Sequence, residues 1–121
     1  MAKRILVVDD SQSIREMISI TLEKEGYKVV RAHDGFSALD ALGEKTFDLI
    51  LTDLHMPGMD GVELIRKVRQ LESCMCIPIL FLTTESQISY KEEARKVGAT
   101  GWIIKPILPD KLLAAVSKVC Q

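Results

Sequence analysis

The sequence predicts an α/β fold, a doubly wound parallel sheet of five strands alternating with five helices. Two observations predict it. Short apolar runs rich in β-branched residues recur along the chain, separated by stretches with apolar residues at helical spacing. Those runs end in polar residues, which is where an open parallel sheet places its ligand-binding groups.

The first run, Arg4-Ile5-Leu6-Val7-Val8, has the pattern of a strand buried on both faces and ends at Asp9-Asp10. Ile14, Met17, Ile18, Thr21 and Leu22 then recur at helical spacing, with Ser11 as the expected N-cap and Gly26 as the stop. Lys28–Ala32 reads as the second strand. Gly35, Ala38, Leu39 and Leu42 mark a short helix, expected to stop at Gly43. Leu49-Ile50-Leu51-Thr52 is the third strand and leads into Asp53, and Pro57-Gly58 breaks the chain. From Gly61 to Leu71 a helix puts Leu64, Ile65, Val68 and Leu71 on one face. Ile77–Leu82 is the fourth strand, leading into Thr83-Thr84. Ile88 to Val97 is a helix with few apolar positions. Gly101–Ile104 is the fifth strand and leads into Lys105-Pro106. Asp110–Cys120 is the closing helix, with Leu112, Leu113, Val116 and Val119 inward. The pattern implies a parallel sheet covered on both faces but does not give the strand order.

The bulk properties agree. A chain of 121 residues is the length of one domain, expected to span 1–121. Hydrophobic residues make up 47% and charged residues 27%, the balance of a globular protein with a core. A net charge of −1 gives no basic field for nucleic acid or anionic membrane, so neither DNA binding nor membrane insertion is expected. No apolar run approaches the ~18 residues of a membrane span, and the opening MAKRILVVDD does not have the form of a signal peptide. Cys74, Cys76 and Cys120 are an odd set with no nearby histidine, expected to be reduced thiols rather than a zinc site or a disulfide framework. These properties lead to the expectation of a cytoplasmic protein.

The polar strand ends carry the chemistry. If the first and third strands are neighbours, Asp9, Asp10 and Asp53 crowd one crevice, with Thr83 and Lys105 on its far side. Three close carboxylates repel, so at least one should have a raised pKa. A divalent cation would relieve the repulsion, and an all-oxygen set favours Mg²⁺. A carboxylate can itself accept a phosphoryl group. Asp53, alone at its strand end, is the expected acceptor. Asp9 and Asp10 are then expected metal ligands, Lys105 the neutralising cation and Thr83 a hydrogen-bond donor to a phosphoryl oxygen.

These residues lie in four segments, ILVVDDS, LILTDLHMPGMDG, ILFLTTES and GATGWIIKP. Together the four segments resemble the receiver domains of two-component response regulators, over essentially the whole chain. Within that family the resemblance is strongest to stand-alone chemotaxis regulators of the CheY kind. It implies a flavodoxin/CheY-like sheet in the order 2-1-3-4-5. It implies phosphorylation at Asp53 by a histidine kinase, and Mg²⁺ held by Asp9, Asp10, Asp53 and the backbone carbonyl of His55. It implies Thr83 and Trp102 as switch residues, Lys105 as the phosphate-contacting cation, and a cis bond before Pro106. The switched surface for a downstream protein would be the Ile88–Val97 helix, the fifth strand and the last helix. A protein of this kind catalyses only its own phosphorylation and dephosphorylation and is not otherwise an enzyme. The alternative role is a stand-alone phosphorelay intermediate outside chemotaxis.

Trp102 departs from the family's usual Tyr or Phe, and Thr84 stands where a smaller residue is frequent. His55 and Glu85 occupy variable positions beside the site, and the His55 side chain is a candidate to control hydrolytic water. Taken singly, the same residues have plainer readings. Asp9-Asp10 could cap a helix, Asp53 could serve a turn, Lys105 could be a solvated lysine, and Trp102 could be core. It is their joint placement that favours a site. Two rivals share the topology or the chemistry. A flavin carrier should offer hydroxyls and N–H groups after the first strand, not two acids. A phosphatase working through an aspartyl phosphate should carry a D-x-D pattern there.

Overall fold

A computed structural model describes residues 2–84 and 91–120. Five parallel strands form one sheet: β1 (Arg4–Val8), β2 (Lys28–Ala32), β3 (Leu49–Asp53), β4 (Ile79–Thr83) and β5 (Gly101–Ile104). Their order is β2-β1-β3-β4-β5, so β1 and β3 are neighbours, as the resemblance implies. The register pairs Val8 with Thr52 and Asp53 with Leu82. The ends of β1, β3 and β4 therefore lie side by side.

The helices are α1 (Gln12–Lys24), α2 (Gly35–Glu44), α3 (Gly61–Gln70), α4 (Lys91–Lys96 within the described residues) and α5 (Pro109–Val119). Alternate strand residues point to opposite faces, and the core divides accordingly. Ile5, Val7, Leu49, Leu51, Leu80, Leu82 and Ile103 pack against Ile18 and Leu22 of α1 and Leu112 and Val116 of α5. Leu6, Val8, Ile50, Ile79 and Phe81 pack against residues of α2, α3 and α4. Every residue of β3 and β4 is buried. That explains why those strands read as unbroken apolar runs rather than as alternations.

Local chemistry sets the helix ends. The Ser11 side chain accepts from the Ile14 N–H, as expected of an N-cap. Gly26 follows α1 at φ +89°, a conformation that glycine alone adopts without strain. Asp34 and Ser37 form a reciprocal capping box at α2.

Some boundaries differ from expectation. The second helix does not stop at Gly43. It runs to Glu44 and ends where the Lys45 N–H bonds to the Ala41 carbonyl. The fourth strand starts at Ile79, not Ile77. The Ile77 N–H bonds to the Cys74 carbonyl, the Ile77 carbonyl accepts from Arg69, and Pro78 has no N–H to give. The last helix begins at Pro109, one residue early, because proline suits a first helical turn. The start of the expected Ile88–Val97 helix, and Glu85, lie outside the described residues.

Candidate metal and phosphoryl site

The turn from β1 into α1 fixes Asp9 through four contacts. Its N–H donates to the Ala32 carbonyl of β2 (3.2 Å), and its carbonyl accepts from the Arg15 guanidinium (2.6 Å). Its Oδ1 accepts from the Ser11 N–H (2.9 Å), and its Oδ2 faces the Lys105 ammonium at 3.4 Å. The residue is fully buried. Asp10, next along, is exposed.

Asp53 ends β3 and is 6% exposed. Its Oδ1 accepts from the Leu54 N–H (2.9 Å) and from Lys105 Nζ (3.3 Å). Close packing at Gly61 holds this strand end in place. A Cβ there would sit 2.5 Å from the Asp53 carbonyl oxygen and 2.6 Å from the Phe81 ring. Lys105 reaches both carboxylates from the end of β5, and the peptide linking it to Pro106 is cis.

Asp9, Asp10 and Asp53 each offer an oxygen, all within 4.8 Å of one another. The donor set is oxygen alone, carries up to three negative charges and is open to solvent on the Asp10 side. That suits a hard divalent cation that keeps some of its waters. Asp9 already uses both carboxylate oxygens in protein contacts, so Asp10 and Asp53 are better placed as direct ligands. The expected pKa rise falls on Asp53. Burial pushes its carboxyl up first and the Asp9 charge adds to that, while Lys105 pulls it down. Desolvation thus outweighs the carboxylate repulsion from which a rise was expected.

Thr83 stands one residue beyond the Leu82–Asp53 pair and is buried. Its hydroxyl donates to the Thr84 carbonyl at 3.2 Å, and its own carbonyl accepts from the Lys105 N–H at 2.6 Å. The main chains of Thr83 and Lys105 are therefore joined by one bond between the end of β4 and the residue after β5. His55 is exposed in the loop after β3. Trp102 is not in the cluster: it pairs with Phe81, two residues short of Thr83, and lies half-buried beneath α4. Lys91 Nζ sits 4.3 Å above its ring centroid and Arg95 Cζ 6.0 Å from it. At such distances a cation is attracted by roughly 0.5–1 kcal/mol when exposed, and Lys91 is the better placed of the two.

Residues 5–117 match the model of the response regulator receiver domain. The chain belongs to that family. This receiver domain resembles the chemotaxis response regulator CheY4 of Vibrio cholerae, with 44% identity and a TM-score of 0.94 over 98% of this chain and 99% of that one. It also resembles the phosphate regulon transcriptional regulatory protein PhoB of Pseudomonas aeruginosa, at 38% identity over all 121 residues. The receiver domain spans 53% of that relative, about half its length. A third likeness is to the receiver domain of a sensor histidine kinase from Pseudomonas aeruginosa, described with a magnesium ion coordinated in its active-site cleft. Identity there is 26% and the TM-score 0.90, over 99% of this chain and 98% of that one.

Sequence reasoning found the four charged residues that meet and passed over those that hold them. Arg15 was legible only as a helix residue four after the cap. Lys91 and Arg95 lie in the helix expected over Ile88–Val97 and were given no role. Gly61 was read only as the start of a helix, and its lack of a side chain matters through residues distant in sequence.

Proposed function

We propose that this receiver domain accepts a phosphoryl group on Asp53 from a phosphohistidine of a kinase, and that the modification switches a protein-binding surface. The observation that carries this reading is Lys105 Nζ lying 3.3 Å from Asp53 and 3.4 Å from Asp9, inside a cluster of three carboxylates. That arrangement supplies a nucleophilic oxygen, a cation for a phosphoryl oxygen and a metal-ligand set in one crevice. Asp10, Asp53, the His55 carbonyl and, through water, Asp9 would hold Mg²⁺. The metal, when bound, offsets charge on the transferring phosphoryl group.

The chain's own residues do the remaining work. A carboxylate oxygen of Asp53 forms the new O–P bond as the P–N bond to the donor imidazole breaks. The imidazole nitrogen keeps that electron pair and takes a proton from solvent. Lys105 leaves its two carboxylates to pair with the phosphoryl oxygens. The Thr83 hydroxyl turns from the Thr84 carbonyl towards them, and the β4 end moves with it. Trp102 then gains room to change rotamer. Phosphorylation shifts two existing states rather than creating one.

The surface that changes is α4, β5 and α5. A cavity of about 460 Å³ lies there, lined by Trp102, Ile104, Lys105, Leu108 and Lys111 among others. Ile104 and Leu108 are 37% and 49% exposed, which suits a partner with an apolar segment. Likeness to CheY4 over nearly all of both chains supports a chemotaxis output. The relation to PhoB favours a second reading, the same switch serving a transcriptional regulator. The alternative phosphorelay role uses the same site.

The decisive experiment incubates wild type and Asp53→Asn with a small acyl phosphate and Mg²⁺. Mass spectrometry should find one added phosphoryl group on wild type and none on the variant. Equal labelling of both would sink the reading. Capturing partners with the phosphorylated form then separates the outputs: a motor or kinase protein supports chemotaxis or relay, transcription machinery the second reading.

A further inference from the structure

We propose that Lys91, assisted by Arg95, is a positioning residue that holds Trp102 in its resting place and so opposes activation. The inference rests on the switch reading above and adds the residues that set its threshold.

Among the described residues, Trp102 lies in β5 at the edge of the sheet, with a strand neighbour on one side only. The sheet alone therefore cannot fix its ring. The packing below it comes from the cluster that holds Phe81 and Ala94, with Val97 and Ala99 beside it. Above it stand the two cations. Lys91 and Arg95 are four residues apart in α4, so they share one face of the helix and reach the same ring. Arg95 also pairs with Glu92 at 3.3 Å, which divides its attention, whereas Lys91 sits closer to the ring. The attraction exists only while the indole face lies under the ammonium. If phosphorylation moves the ring, that contact is lost. A contact present in one state alone shifts the balance between the two.

The plainer reading is that the lysine stem merely covers apolar surface. Lys91→Met keeps an unbranched stem of similar reach and removes the charge, whereas Lys91→Arg keeps a cation over the ring. The two variants therefore separate charge from cover. Trp102 is the one tryptophan of the chain, so its emission reports the site directly.

Acrylamide quenching of Trp102 without ligand, and titration with beryllofluoride in the presence of Mg²⁺ as a phosphoryl mimic, test the proposal. Lys91→Met should raise quenching and bind the mimic about two- to fivefold more tightly than wild type. Lys91→Arg should behave as wild type, and Arg95→Met should move the same way by less. The proposal is overturned if Lys91→Met matches wild type in both measurements, or if Lys91→Arg shifts as far as Lys91→Met. In those outcomes the mimic still changes wild-type emission, and the switch reading stands. If calorimetry records the mimic binding to wild type with no change in emission, the switch reading fails and the opposition assigned to Lys91 fails with it.

Discussion

Asp53 lies at the end of a wholly buried strand, and its environment works against its charge. Its carboxyl is held above the ordinary carboxylate range by burial, then by Asp9, with Lys105 opposing. The folded protein thus holds that proton more tightly than the unfolded chain does. The associated stability is fully present below the unfolded carboxylate pKa of about 4 and is lost as pH rises through the raised folded value. Urea midpoints measured with a chelator present should show this loss for wild type. Asp53→Asn should flatten it, since the amide does not ionise. If the two profiles run parallel, the charge of Asp53 is not what strains the site. Gly61 makes a second residue-scale case. Gly61→Ala would drive a methyl into the Asp53 carbonyl and the Phe81 ring. A loss of about 1–3 kcal/mol is expected from denaturant unfolding. An unchanged midpoint would mean that the strand end yields easily.

At the scale of elements, the sequence was most informative where one physical cause acts alone. β1 and β3 were legible because burial on both faces demands unbroken apolar runs, and α1 because a cap and a glycine bracket its periodicity. Asp34 likewise caps a helix, α2. Its carboxyl is held low, chiefly by the Ser37 N–H and hydroxyl, so its contribution is present above the unfolded pKa and fades as pH falls through the folded value. Asp34→Ala should cost about 1 kcal/mol at neutral pH, and hydrogen exchange should quicken first in α2. Uniform exchange across the helices would argue that packing, not the cap, holds α2. The start of β4 was misread for the opposite reason: two causes compete there. Ile77 is apolar enough for a strand, but Arg69 takes the carbonyls of Cys74, Met75, Ile77 and Gly98. That side chain ties the turn before β4 to the turn after α4, and no periodicity reveals it. Gly43 failed as a stop because a helical glycine costs only ~1 kcal/mol, which α2 packing outweighs.

Across the whole molecule, the strand order turns separate sequence segments into one site. The segments were readable, but their adjacency was not, because alternation fixes class and leaves order free. Resemblance supplied the order, and with it the meeting of Asp9 and Asp53. Divalent cation should therefore stabilise the entire domain. At a hundredfold excess over its dissociation constant the gain is about 2.7 kcal/mol. Thermal unfolding with Mg²⁺ should exceed that with chelator, and Asp10→Asn should remove most of the difference. A melting temperature indifferent to Mg²⁺ would contradict a metal site made by these carboxylates. The path of Lys105 to its partners has a kinetic corollary. The ammonium joins Asp53 across 52 residues and Asp9 across 96, whereas β1 and β3 can dock before β5 exists as a strand. If a refolding chain docks β1 on β3 first, its acids gather before their counter-charge arrives. Mg²⁺ should then steepen the early climb, lifting the folding arm of the chevron and not merely lowering the unfolding arm.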